Sequence, residues 1–314
     1  MANCHNLFQT FDGEISIGVN KKSRINSSKS SLRERIRKWF KENHSDYVPK
    51  FYIQGSMKMK SGIRTKDDIC DLDDGVYFFR KPDVEPTTLQ EWVWTAVNGY
   101  TSTAAQHRKK CIRTIFAGDY EVDHPVYYKV DGEEYQLAMK NSGWRADDPK
   151  AMVEWFVGKK DKEGRLVRIV KYLKAWCDNK RNNMPSGLAM TILSSNALSN
   201  IVLNERDDIS LRDILNEIEK SLDMSFQCLV PVTPKDDLFA DYTQARKDNF
   251  LNALSSFLDD ANKAIKEENQ LSASKLWQKH LGDRFPKGED KTDDSRSKTS
   301  IAAGAASSNP WVNE

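Results

Sequence analysis

The 314-residue sequence contains no apolar run long enough to cross a bilayer, and its first residues lack the basic-then-apolar pattern of a secretory signal. Cysteine is scarce and scattered. The five residues Cys4, Cys70, Cys111, Cys177 and Cys228 include no Cys-x-x-Cys pair and no Cys/His set at zinc spacing. That distribution excludes a disulfide framework or structural zinc and predicts reduced thiols in a soluble, cytoplasmic protein. An excess of either charge is also missing: 48 Lys+Arg against 46 Asp+Glu leave a net +2, so no global field for nucleic acid is implied. The short basic runs Arg108-Lys109-Lys110 and Lys159-Lys160 read best as solvated faces. No internal repeat is visible.

What is present is an ordinary globular composition, 39% hydrophobic and 30% charged, carrying two successive patterns. Residues 1–25 show no strong period. From Ser30 the pattern is helical, with Leu32, Ile36, Trp39 and Phe40 on one face and Ser30 or Ser31 as a cap. Residues 51–54 are extended, 71–80 form a strand rich in β-formers (Val76, Tyr77, Phe78, Phe79), and 87–100 form a helix. Two further strands, 111–116 and 120–130, are joined at Gly118. After about residue 148 helical spacing takes over, in 150–156, 164–179, 187–203, 211–222, 242–266 and 273–281. Beyond Pro286 large apolar residues almost vanish until Trp311, which predicts a disordered tail. The expected fold is α+β: a lobe of mixed sheet and helices over 1–147, a helical lobe over 148–285 closing a cleft, and the tail 286–314.

Three features carry chemistry. Gly55-Ser56 follows an extended run, and glycine lets a backbone approach a phosphate while the serine hydroxyl donates to it. Asp71-Leu72-Asp73-Asp74-Gly75 opens a strand, where residues two apart share a face, so Asp71 and Asp73 project together. Two converging carboxylates repel unless a cation lies between them, and oxygen ligands suit Mg²⁺ or Mn²⁺. With 46 carboxylates in the chain, roughly half a dozen such pairs arise by chance, so the pair alone decides little. Asp123 lies on a later strand, on one face with Glu121 and Pro125 and opposite Val122 and His124. A carboxylate in an apolar strand is costly unless paired or metal-bound. An edge strand with its acidic face in water is the alternative, and Pro125 suits it. His124 faces the other way and reads as structural. Taken in order, the three features outweigh their parts, because three carboxylates can hold two divalent ions for nucleotidyl transfer.

Gln54-Gly55-Ser56-Met57-Lys58 followed by Asp71-Leu72-Asp73-Asp74-Gly75-Val76-Tyr77 resembles the polymerase-β-like nucleotidyltransferases. Within them the chain is similar to the bacterial cyclic-oligonucleotide synthases, the CD-NTases, relatives of animal cyclic GMP-AMP synthase and oligoadenylate synthase. Residues 144–156, 168–178 and 184–188 continue the likeness in order, which spans about residues 28–285. The resemblance implies that Asp71, Asp73 and Asp123 are catalytic metal ligands for two Mg²⁺ or Mn²⁺ ions. It implies triphosphate contacts from Gln54 and Ser56, a phosphate-reaching lysine in Lys174, and a nearby serine in Ser186. It further implies ATP and GTP as substrates, a purine-containing cyclic dinucleotide product in antiphage signalling, a downstream effector that binds the product, and a monomeric enzyme. The animal sensor's His/Cys zinc insertion is missing, so activation by double-stranded DNA is not expected. The carboxylates would equally serve a transferase acting on RNA, protein or a small molecule, and a non-catalytic nucleotide sensor is a further alternative.

Overall fold

The computed structural model describes residues 1–291, and the remainder of the tail expected to be disordered lies outside them. The first lobe is built on one mixed sheet. Its central strand β2 (Cys70–Phe78) pairs antiparallel with β1 (Lys50–Gln54) on one edge. On the other edge β5 (Tyr120–His124) and β6 (Val126–Tyr128) run parallel to it. The register offset is the same for both, with Cys70 opposite Tyr120 and Phe78 opposite Tyr128. They are thus one strand, as the sequence pattern predicts, interrupted where Pro125 has no N–H for the ladder. The Pro125 carbonyl still accepts from Val76 N–H at 2.8 Å. Beyond them lie β3 (Gln106–His107) and β4 (Ile112–Phe116) on the β5 side, and β7 (Gln136–Met139) and β8 (Gly143–Ala146) on the β6 side.

Strand alternation divides this sheet into two faces. Leu72, Val76, Phe78, Val122 and Val126 enter a core covered by α2 (Val19–Asn43) and α4 (Pro86–Val97), which contribute Ile25, Leu32, Ile36, Phe40, Leu89 and Val93. Asp71, Asp73, Tyr77, Asp123 and Tyr127 belong to the other set. α2 begins eleven residues before the expected Ser30, and neither Ser30 nor Ser31 caps it. Its first half docks through polar groups rather than an apolar stripe: Lys21 reaches Asp119 at 3.1 Å, Arg24 pairs with the same carboxylate, and Ser28 meets the Tyr120 hydroxyl at 2.7 Å. A hydrophobic period cannot register such contacts.

The second lobe packs α5 (Pro149–Lys159), α6 (Arg165–Lys180), α7 (Gly187–Ala197), α8 (Asp207–Met224), α9 (Gln244–Lys266) and α10 (Gln270–Leu281) around one core with Tyr172, Trp176, Phe250, Phe257 and Trp277 fully buried. Two boundaries differ from the sequence reading. The unassigned N-terminus forms α1 (His5–Ile15), whose Leu7, Phe8, Phe11 and Ile15 enter the helical core rather than the sheet lobe. Four such side chains gain about 1.5–3 kcal/mol each on burial, enough to hold a short helix far from its neighbours in sequence. The start of the tail is also ordered: Phe285 is buried, and residues 286–291 return along α10, where Lys291 and Glu289 carbonyls accept from Gln270 and Leu271 N–H. These are the N–H groups a helix start leaves unsatisfied. Among the described residues no helix is long and apolar enough to cross a membrane.

Candidate active site

A cleft of about 740 Å³ lies between the lobes and is lined by Gln54, Gly55, Ser56, Asp71, Asp73, Asp123 and Lys174. The sheet supplies the acidic wall. Asp73 pairs across β2 with Gln54 on one side and Asp123 on the other, so register alone joins three of the expected residues. Gly55 begins the short helix α3 (Gly55–Met59) at φ +59°, and a Cβ there would sit 2.0 Å from Asp73 Oδ2. The glycine therefore admits the Asp73 carboxylate against the turn.

Burial, together with the neighbouring Asp123 and Asp71 charges, pushes the Asp73 carboxyl up to about 7. Among the described residues no hydrogen bond or ion pair holds that carboxylate. Opposite it stands Lys174 on α6, whose ammonium donates to the Ser61 carbonyl and hydroxyl at 3.1 and 3.0 Å. Burial lowers its pKa to about 8, against the opposing pull of Asp73. Ser186 is placed differently: its hydroxyl caps α7, accepting the Ala189 N–H at 3.2 Å, while Pro185 and Gly187 on either side line the cleft.

Gln54 is engaged in a relay that the sequence reading missed. Its amide oxygen accepts from the Tyr77 hydroxyl at 2.7 Å, and its amide nitrogen donates to Tyr127 at 3.3 Å. Tyr127 in turn donates to Asp147 at 2.7 Å, and the two tyrosine rings stack at 4.7 Å. Gly75 makes room for this: a Cβ there would lie 2.6 Å from the Tyr77 ring and 2.7 Å from the Gln54 oxygen. The Gly-x-Tyr that follows the acidic run is the sequence trace of that packing.

Arg113 is the other residue missed. Its Nε and Nη2 donate to the two oxygens of Asp123 at 2.7 Å each, Nη1 pairs with Glu121, and Nη2 lies 3.9 Å from Asp71. A signal was available: a hairpin turning at Gly118 sets Arg113 opposite Asp123, the pairing observed. Among the described residues no three acidic, histidine or cysteine side chains close around one point as metal ligands do. The donor chemistry nonetheless fits a hard dication, being three carboxylates on adjoining strands of one cleft wall.

This sheet, with a helical lobe across the cleft, has the nucleotidyltransferase fold of solved structures. Residues 49–127 match the family described as cyclic GMP-AMP synthase DncV-like, nucleotidyltransferase domain. Solved structures sharing the fold include Vibrio cholerae DncV cyclic AMP-GMP synthase, 17% identical over 90% of this chain and 97% of that one, with TM-score 0.78. The same Vibrio cholerae enzyme with the linear intermediate 5′ pppA(3′,5′)pG is 16% identical over 90% and 96%, also at 0.78. Escherichia coli DncV in its 3′-deoxy GTP bound form is 16% identical over 87% and 93%, at 0.75.

Proposed function

We propose that the protein is a cyclic-oligonucleotide synthase that joins ribonucleoside triphosphates, ATP and GTP foremost, and closes a purine-containing cyclic dinucleotide with release of pyrophosphate. The observation that carries this reading is the meeting in one interlobe cleft of Gly55, Ser56, Asp71, Asp73 and Asp123 from the sheet lobe with Lys174 from the helical lobe. Asp71, Asp73 and Asp123 would hold two Mg²⁺ or Mn²⁺ ions. When bound, such ions activate a ribose hydroxyl and neutralise charge on the phosphoryl oxygens.

The chain's own groups do the positioning. Lys174, with its pKa near 8, is still mostly protonated at neutral pH and offers an ammonium to the triphosphate across from the acidic wall. The Ser56 hydroxyl is a phosphate donor at the turn. The Tyr77–Gln54–Tyr127–Asp147 relay fixes the wall beside them, so reacting groups meet a preorganised surface. Two attacks on α-phosphates in the same cleft complete a ring, and the linear intermediate bound by Vibrio cholerae DncV supports such a two-step route. In the cell the product is read as a second messenger of antiphage defence, bound by a downstream effector protein.

The test is incubation with the four ribonucleoside triphosphates and Mg²⁺ or Mn²⁺, phosphatase treatment, and mass spectrometry of what survives. A phosphatase-resistant cyclic product absent from Asp71→Asn/Asp73→Asn supports the reading and names the bases. Nucleotide transferred instead to RNA or protein, with no cyclic product, would replace it.

A further inference from the structure

The reading of Asp71, Asp73 and Asp123 as cation ligands leaves Arg113 without a role, and this inference rests on that reading. Arg113 is not a surface cation that happens to fall near an acid. Its side chain is only 16% exposed, those of Glu121 and Asp123 are 20% and 12%, and the antiparallel register of β4 and β5 sets it opposite Asp123. The planar fork occupies both oxygens of Asp123, and its remaining arm lies against Glu121. The same guanidinium is 3.9 Å from Asp71, so it stands between two of the three carboxylates assigned to the cations. A guanidinium keeps its charge at every working pH. A dication bound by Asp71 and Asp123 would therefore meet a like charge at contact distance, in a partly enclosed site where screening is weak. Glu121 lies two residues from Asp123 on the same strand face and is absent from the residues lining the cleft, among those described. It offers the guanidinium a second acceptor that the cation does not need.

We propose that Arg113 is a resident counter-ion of the acidic wall, which leaves Asp123 and rests on Glu121 when a divalent cation enters. In the cation-free protein it offsets part of the wall's charge and keeps Asp123 in place. On entry the bidentate contact with Asp123 is exchanged for the ion. Arg113 is thus a positioning residue that sets how readily the site loads, and it touches neither nucleotide nor reacting atoms.

The test uses the full chain. Arginine Nε–Hε signals are followed by NMR during Mg²⁺ titration, with the Arg113 signal assigned from Arg113→Lys. Mn²⁺ affinity is measured in parallel, by the EPR signal of the free ion, for wild type, Arg113→Gln, Arg113→Lys and Asp73→Asn. The expected result is a shifted Arg113 signal on saturation and Mn²⁺ binding about tenfold tighter in Arg113→Gln, with Arg113→Lys intermediate, since a charged hydrogen-bonded contact no longer has to be broken. Circular dichroism checks that the variants fold, and the wild-type NMR arm stands if Arg113→Gln does not. An unmoved Arg113 signal at saturating Mg²⁺, or Mn²⁺ binding no tighter in a folded Arg113→Gln, overturns the proposal while an Asp73-dependent cation site survives. Equal Mn²⁺ binding by wild type and Asp73→Asn overturns the cation reading itself, and the proposal with it.

Discussion

Asp73 and Asp74 are consecutive, yet β2 turns them to opposite faces of the sheet, and the two faces handle charge in different ways. On the covered face Asp74 is fully buried, and Arg33 from α2 grips both its oxygens, one of them at 2.8 Å. The buried His124 imidazole meets the Asp74 backbone carbonyl at 2.9 Å. On the cleft face the half-buried Asp73 has two carboxylates beside it and no hydrogen bond or ion pair among the described residues. A fold can saturate a buried acid when a helix is at hand, as α2 does. Where it leaves one unsaturated beside two others, the charge is available to a ligand. The difference separates a saturated acid from one left open to a ligand within a single dipeptide.

The largest expected effect of removing the Asp73 charge is on activity. Asp73→Asn should lower product formation by at least about 10³-fold while the protein stays folded. Its stability should move the other way from a usual loss. The Asp73 carboxyl is raised in the folded state to about 7, so the cation-free wild type binds more protons folded than unfolded between about pH 4 and 7. Stability is therefore lost as pH rises through that window. Melts in chelator should show this slope in the wild type and a reduced slope in Asp73→Asn, with a higher midpoint at pH 7. A lower midpoint would mean that Asp73 has a structural partner after all. Asp74→Asn should give the converse signature: a loss of about 3 kcal/mol by denaturant titration, because Arg33 is left half-buried without its carboxylate.

Much of this site was legible from the sequence, and what was not has identifiable causes. The Asp-x-Asp spacing and the placing of Asp123 on the face opposite Val122 and His124 follow from period-two alternation and hold in the structure. Lys174 was legible only through family likeness, since a lysine between Leu173 and Ala175 on an amphipathic helix reads equally well as solvated. Arg113 escaped because a basic residue on a strand gives no hydrophobic signal; only pairing the hairpin about Gly118 reveals its partner. The N-terminal half of α2 and residues 286–291 escaped because they are held by polar side chains and backbone hydrogen bonds. Helix α1 carries Leu7, Phe8, Phe11 and Ile15 at helical spacing, but over only eleven residues interrupted by Gly13. Its assignment to the helical lobe is a tertiary fact, expressed in contacts such as the Tyr172 hydroxyl donating to the Phe8 carbonyl at 2.9 Å.

Gly75 lies next along the strand. It belongs to the cleft face, yet its demand is steric rather than electrostatic. Gly75→Ala sets a methyl group 2.6 Å from the Tyr77 ring and 2.7 Å from the Gln54 amide oxygen. The expected cost is about 1–3 kcal/mol in a chemical melt, with the Tyr77–Gln54 hydrogen bond as the first casualty. A neutral Gly75→Ala would show that the relay is soft and does not brace the acidic wall.

The smallest expected effect concerns Lys174, the helical lobe's reply to the acidic wall. Its pKa is lowered to about 8, first by burial. The unfolded chain, with its lysine near 10.4, therefore binds more protons between about pH 8 and 10.4, and stability rises with pH across that window. Holding the ammonium at neutral pH costs stability, which a purely structural residue would not do. Lys174→Met should accordingly raise the midpoint at pH 7, with the gain fading toward pH 10. The nucleotide should register the same proton: KM for the triphosphate should climb severalfold as pH passes 8 in the wild type and stay flat in Lys174→Met, whose KM is already raised by about tenfold. A KM that rises with pH equally in both proteins would assign the titration to another group, and Lys174 would then be a brace for Ser61 rather than a phosphate contact.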